Sequence, residues 1–146
     1  MMASDPLMQR FPSSATARLF GQRILEFDTT KGWVRMSFVA TEDFLNPAGS
    51  VQGGILGAML DDTMGPALWL MNGAGAFSAT IDLNVSFLAA ASPGLLYAEG
   101  RVVQLGKTIS FLEAHLSDAQ GRMVARSTAS ARMIRPLAAE PSLTPP

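Results

Sequence analysis

The stretch Gly53–Met71, GGILGAMLDDTMGPALWLM, decides the fold. It is apolar almost all round and is interrupted only by Asp61, Asp62 and Thr63. A helix apolar on every side is normally buried on every side, so one long central helix is expected. Pro66 lacks a backbone donor and is expected to kink that helix or to end its regular first part.

Outward from this stretch the period changes from helical to two. Upstream, Ser14–Phe20 reads as one short helical turn capped by Ser13 or Ser14. Gln22–Asp28 and Trp33–Ala40 read as strands joined by a turn at Thr29–Gly32. Thr41–Gln52 is a loop with Asn46-Pro47 and Gly49 as turn residues. Downstream, Ile81, Leu83, Val85 and Phe87 alternate with Asp82, Asn84 and Ser86, the mark of a strand. Ser92-Pro93-Gly94 is a turn. Strands follow over Leu95–Leu105, Thr108–Leu116 and Arg122–Ile134, with Asp118–Gly121 as a hairpin turn. The order β-β-α-β-β-β-β, with short late connections, implies an α+β fold with a largely antiparallel sheet of about six strands. One helix cannot cover such a sheet, so pairing with a second copy is expected.

At 146 residues the chain holds one ordinary domain. It is expected to span 14–135, between an N-terminal tail over 1–13 and a Pro-rich tail over 136–146. Apolar residues are 48% and charged residues 16%, which excludes a disordered chain. A net charge of −1 offers no field for nucleic acid phosphates. The absence of cysteine excludes a thiolate nucleophile and a Cys-ligated metal, and a single histidine, His115, excludes a multi-histidine zinc site. No metal site is therefore expected. No signal peptide is legible in residues 1–20. The longest uncharged run, Thr63–Ile81, is broken by Gly65, Pro66, Asn72, Gly73 and Gly75, so no membrane span is expected. A cytoplasmic protein is the default expectation.

Three groups of residues could carry chemistry. Gly53-Gly54 opens the helix and leaves bare backbone N–H groups at its positive end, able to polarise a carbonyl oxygen; a tight loop-to-helix join is the plainer reading. Asp61 and Asp62 sit mid-helix among apolar neighbours, where carboxylates are rare unless partnered. One is expected at a solvated or subunit-contact position and the other as a functional carboxylate. Gly106-Lys107-Thr108 has neither the spacing nor the strand–loop–helix setting of a P-loop. It reads as a strand bend that can bring a lysine to an anionic ligand. His115 shares a strand face with Phe111 and Glu113 and reads as structural or solvated.

With these residues in order, the chain resembles the hot-dog-fold acyl-CoA thioesterases, in the PaaI-like branch of the 4-hydroxybenzoyl-CoA thioesterase superfamily. The resemblance covers about Ala17–Ile134. It rests on Asn46-Pro-x-Gly, on Gly53-Gly54 with Asp61 nine residues after Gln52, on Thr80-Ile-Asp82-Leu-Asn84-Val-Ser-Phe87, on Gly106-Lys107-Thr108, and on Asp118-x-x-Gly121-Arg122. It implies a long central helix wrapped by a curved antiparallel sheet, in a homodimer or homotetramer. It implies hydrolysis of an acyl-CoA thioester without a cofactor, coenzyme A being part of the substrate. The resemblance makes Asp61 the general base or nucleophile and the Gly53 amide the oxyanion donor. Asn46 and Thr80 would help hold the water and carbonyl, and Gly106, Lys107 and Thr108 would line the coenzyme A arm. The carboxylate and the helix-start amides would come from different subunits. Gln52 departs from the usual histidine before the glycine pair; it keeps hydrogen bonding but cannot titrate near neutrality. A non-catalytic acyl-CoA-binding module is the alternative. A hot-dog hydratase is a further one, disfavoured because His115 lies on the wrong element.

Overall fold

The computed structural model describes residues 5–72 and 76–134. The expected Pro-rich tail lies outside them. Two short helices, α1 (Pro6–Gln9) and α2 (Ala15–Leu19), precede strands β1 (Arg23–Asp28) and β2 (Trp33–Ala40). The long helix α3 (Gly53–Met71) follows a loop, and then come β3 (Phe77–Phe87), β4 (Gly94–Gln104), β5 (Ile109–Asp118) and β6 (Met123–Ile134). The strands form one antiparallel sheet in the order β1-β2-β4-β5-β6-β3. The sheet curves around α3, which is the hot-dog arrangement, an α+β fold.

The core is the contact between α3 and the inner face of the sheet. Met59, Leu60, Met64 and Leu68 meet Phe27, Met36, Phe38, Leu96, Leu116 and Val124, all fully buried. Each such side chain contributes about 1.5–3 kcal/mol by leaving water. Thr63 lies in this layer and satisfies its hydroxyl by donating to the Met59 carbonyl at 2.7 Å. Opposite it, Gly100 lets helix and sheet close up; a Cβ there would come within 2.9 Å of the Thr63 methyl. The helix is not buried all round, however. Gly54 is exposed, and Ile55, Ala58, Asp61, Asp62 and Gly65 are half-buried, forming one stripe along it.

Pro66 does not end the helix, which continues to Met71. Proline at this position strips the Asp62 carbonyl of its usual donor four residues on. The Gln22 side chain replaces it, donating from Nε2 to the Asp62 carbonyl at 3.1 Å. At the N-terminus, residues expected in a tail are packed instead. Asp5 caps α1 by accepting from the Leu7 N–H at 2.8 Å, and Leu7, Met8 and Phe11 pack on the core. Phe11 meets Trp69 edge-on, with ring centroids 5.1 Å apart. The cap on α2 is Ser14, accepting from the Ala17 N–H at 2.9 Å.

Candidate active site

Helix α3 and strand β3 lie side by side and run in opposite directions. Gly53 lies against Phe87, Gly57 against Val85, Asp61 against Thr80 and Gly65 against Ser78. The Thr80 hydroxyl donates to Asp61 Oδ1 at 2.7 Å. Strict alternation from Leu83, Val85 and Phe87 would turn Thr80 outward. A bulge prevents this. Thr80 pairs with Ala131 and Asp82 with the adjacent Ser130, so Ile81 is the extra residue. The face switches at Ile81, and Thr80 and Ser78 point toward the helix.

Asp61 and Thr80 open into a recess of about 250 Å³, lined also by Phe11, Gln22, Asp62, Trp69 and Phe77. The second aspartate is bound differently. Asp62 Oδ2 accepts from Gln22 Nε2 at 3.1 Å. Burial pushes the Asp62 carboxyl above its usual range, and the neighbouring Asp61 charge adds to the rise. Sequence reasoning marks neither Phe11 nor Gln22 as a site residue. For Gln22 a signal exists, because a proline inside a helix always leaves a carbonyl in need of a donor. Nothing in sequence says which residue supplies it.

The other expected site residues lie apart from Asp61 within one chain. Gly53 is eight residues back along α3, about 12 Å at 1.5 Å per residue. Gln52 is exposed, precedes the helix and makes no side-chain cap. Its carbonyl accepts from Ile55 and Leu56, so the Gly53 and Gly54 N–H groups precede the helical ladder. Gly53 has a packing reason, since a Cβ would come within 3.1 Å of the Phe87 ring; at Gly54 a Cβ would meet open space. Asn46 Oδ1 accepts from the Ala48 and Ser50 N–H groups at 3.0 and 3.1 Å, folding the loop before the helix. Its oxygen is therefore occupied, and the amide Nδ2 is the group it can offer a ligand.

Gly106, Lys107 and Thr108 form the β4–β5 connection. The Gly106 N–H donates to Ser110 Oγ at 3.0 Å, and a Cβ on Gly106 would collide with the Ile109 carbonyl. Lys107 and Thr108 are exposed. Ser110, Ala131 and Thr80 stand in one cross-strand row, which places this turn at the Asp61 end of the sheet. Two strand spacings separate Ser110 from Thr80, about 10 Å. His115 pairs in register with Glu99 and Arg126 on the outer face, away from α3.

Comparison with known proteins agrees with the fold. The model of the thioesterase superfamily matches residues 48–125. A Saccharolobus solfataricus protein whose name assigns it provisionally to the esterases is 30% identical over 105 residues, 72% of this chain and 74% of its own. Among solved structures, a phenylacetic acid degradation-related protein from Ralstonia eutropha is 38% identical. Its TM-score is 0.80, and the match covers 86% of this chain and 96% of the other. A Streptococcus mutans protein solved with acetyl CoA shares the fold, at 21% identity and a TM-score of 0.71 over 78% of this chain and 89% of its own. The chain belongs to the thioesterase superfamily, as a PaaI-like hot-dog member. Its class of activity is thioester hydrolysis. Among the described residues, no helix is long and apolar enough to cross a membrane.

Proposed function

We propose that the chain hydrolyses acyl-CoA thioesters to the free acid and coenzyme A, with Asp61 as the reactive carboxylate. The observation that carries this reading is the Asp61–Thr80 pair at the mouth of a largely apolar recess. Thr80 occupies one carboxylate oxygen and fixes its direction, leaving the other for water or for the thioester carbon. As a general base, Asp61 takes a proton from water while the water oxygen attacks the carbonyl carbon. The carbonyl oxygen gains charge and is stabilised by the Gly53 N–H at the positive end of α3. Collapse breaks the carbon–sulfur bond, and the proton leaves with the coenzyme A thiolate. Asp61 acting as nucleophile through an anhydride is the other route open to the same geometry. Neither route needs a resident cofactor.

Two elements about 12 Å apart on one rigid helix cannot grip one carbonyl. The active unit in this reading is a homodimer joined through β3. That strand is a sheet edge, and it exposes Phe77, Ile81, Leu83 and Phe87. Edge strands with apolar side chains invite pairing. Antiparallel pairing of two β3 strands about a two-fold axis near Leu83 brings the Phe87 end of the partner subunit's β3 to the Thr80 end of this one. Gly53 packs on Phe87, so Gly53 of the partner subunit then stands beside Asp61. Asn46 Nδ2 arrives with it, and Gln52 flanks the carbonyl as a neutral hydrogen-bonding group. Lys107, with Gly106 and Thr108, meets the phosphates of the coenzyme A arm. A further pairing of dimers into a homotetramer is compatible with this arrangement.

The test is thiol release from a panel of acyl-CoAs by the native protein and by Asp61→Asn. Turnover that falls at least a thousandfold in the variant, with the dimer intact, supports the reading. Native-like turnover in Asp61→Asn refutes it. Tight acyl-CoA binding without turnover by the native protein would favour a binding module, with Gln52 as the departure that accounts for it.

A further inference from the structure

We propose that the recess beyond Asp61 is the acyl subsite and that Phe11 is its end wall, limiting the acyl group to about nine non-hydrogen atoms. The proposal rests on the thioesterase reading and adds to it a substrate size and the residue that sets it. Asp61, Gly65 and Trp69 follow one another at intervals of four along α3, and all three line the recess. The floor from carboxylate to indole therefore runs about 12 Å. Phe77, Pro66 and Pro12 also line it, and Phe11, edge-on against Trp69, stands at the Trp69 end. Because Asp61 and Thr80 line the same space, a thioester carbon placed at the carboxylate leads its acyl tail directly into this channel.

Two independent measures agree on the size. The cavity is about 250 Å³. An apolar cavity of about 150 Å³ accepts a benzene ring, and roughly 30 Å³ per further heavy atom brings the content to about nine. An extended chain of tetrahedral carbons advances about 1.3 Å per atom, given bonds near 1.5 Å, so about nine carbons span the floor. Phe11 is held in place rather than draped over the end. Its ring stands at 87° to Trp69. The segment before it is anchored by the Asp5 cap and by Leu7 and Met8 in the core. Leu70 and Met71, which neighbour Trp69 in sequence, do not line the recess; Leu70 belongs to the core.

The experiment measures kcat/KM over saturated acyl-CoAs from two to sixteen carbons. The native profile is expected to rise by up to roughly fourfold per methylene, the value of one buried methylene, until about eight carbons. It is expected to fall at least tenfold by sixteen. Phe11→Ala should raise the fourteen-to-eight-carbon ratio at least tenfold, and Phe11→Trp should move the optimum below eight. Opposite shifts from two substitutions at one position are not a consequence of general destabilisation. Equal rates at eight and sixteen carbons in the native protein, or a common factor on all chains in both variants, overturn the proposal. If no thioester is cleaved, the parent reading fails and the subsite is decided by binding. In a Trp33→Phe background, a saturable change in Trp69 emission with octanoate but not with hexadecanoate supports the subsite, and no change with octanoate refutes it.

Discussion

Replacing Gln22 by methionine keeps most of the side-chain volume and removes both donors of its amide. The Asp62 carbonyl then has neither a helical donor, because of Pro66, nor the Gln22 Nε2 that sits at 3.1 Å. Leaving a buried acceptor unsatisfied costs about 1–3 kcal/mol, and a half-buried position such as this one falls in the lower part, about 1–2 kcal/mol. For a chain of this size that is a fall in Tm of roughly 3–8 °C. The diagnostic quantity is the coupling to Pro66. Pro66→Ala restores a backbone N–H four residues after Asp62, so the carbonyl no longer depends on Gln22. The bond from Gln22 to Asp62 Oδ2 remains in that background, so the cost of Gln22→Met should shrink without vanishing.

Urea unfolding of the four proteins at one fixed concentration measures this, the concentration being held because association shifts apparent stability. The expected coupling energy is about 1 kcal/mol, above the roughly 0.5 kcal/mol within which uncoupled pairs add. If Gln22→Met costs the same with proline or alanine at 66, the side chain is not acting as the missing helical donor, and the reasoning fails. The consequence for function follows from position. The unpaired carbonyl belongs to the residue next to Asp61, so slack at this point of the helix moves the carboxylate away from Thr80. Turnover of Gln22→Met should therefore fall along with stability, and Pro66→Ala should restore part of both.

Other outcomes follow from the same geometry. Thr80→Val removes the donor to Asp61 and should lower kcat/KM about 10–100-fold, the value of a hydrogen bond to a charged group, with Thr80→Ser retaining most of it. The raised Asp62 carboxyl makes the folded state bind a proton more readily than the unfolded chain. Its charged form is thus a penalty, fully present above its folded pKa and relieved as pH falls through that value toward 3.8. Asp62→Asn should accordingly stabilise the protein at neutral pH, and the gain should shrink on acidification; a gain that grows as pH falls would contradict this. Leu83→Asp puts a charge on the β3 edge and should give a monomer by light scattering, inactive although Asp61 is untouched. A fully active monomer would remove the partner's Gly53 from the mechanism.

Much of this architecture is legible in residues. The long apolar run Gly53–Met71 locates the central helix to the residue, although it does not show the half-buried stripe that carries Asp61. Alternation locates five of the strands to within one or two residues, but β3 begins at Phe77, four residues before the alternation that starts at Ile81. What alternation cannot show is the bulge at Ile81. Its apolar side chain extends the pattern of Leu83, Val85 and Phe87 smoothly, yet the backbone inserts it as an extra residue. The inward turn of Thr80, and with it the contact to Asp61, is thus a property of β3–β6 register. The fate of Phe11 was equally hidden. A segment with two prolines and no period reads as a tail, and its packing against Trp69 and the core is a tertiary contact that local sequence does not show.

The deepest limit is geometric. Gly53 and Asp61 are read together in sequence because they lie on one helix at a recognisable interval, but that same helix holds them about 12 Å apart. In the proposed dimer two helices run antiparallel past each other, which reconciles proximity in sequence with separation in space. Strand β3 supplies what this requires, since it lies alongside α3 over the whole interval from Gly53 to Gly65 and ends the sheet with its outer edge free. In the proposed dimer a single chain carries two half-sites, one at each end of α3. In that dimer the exposed apolar side chains of β3 serve catalysis as well as assembly. Any substitution that separates the β3 edges should abolish turnover while leaving every residue of each half-site in place.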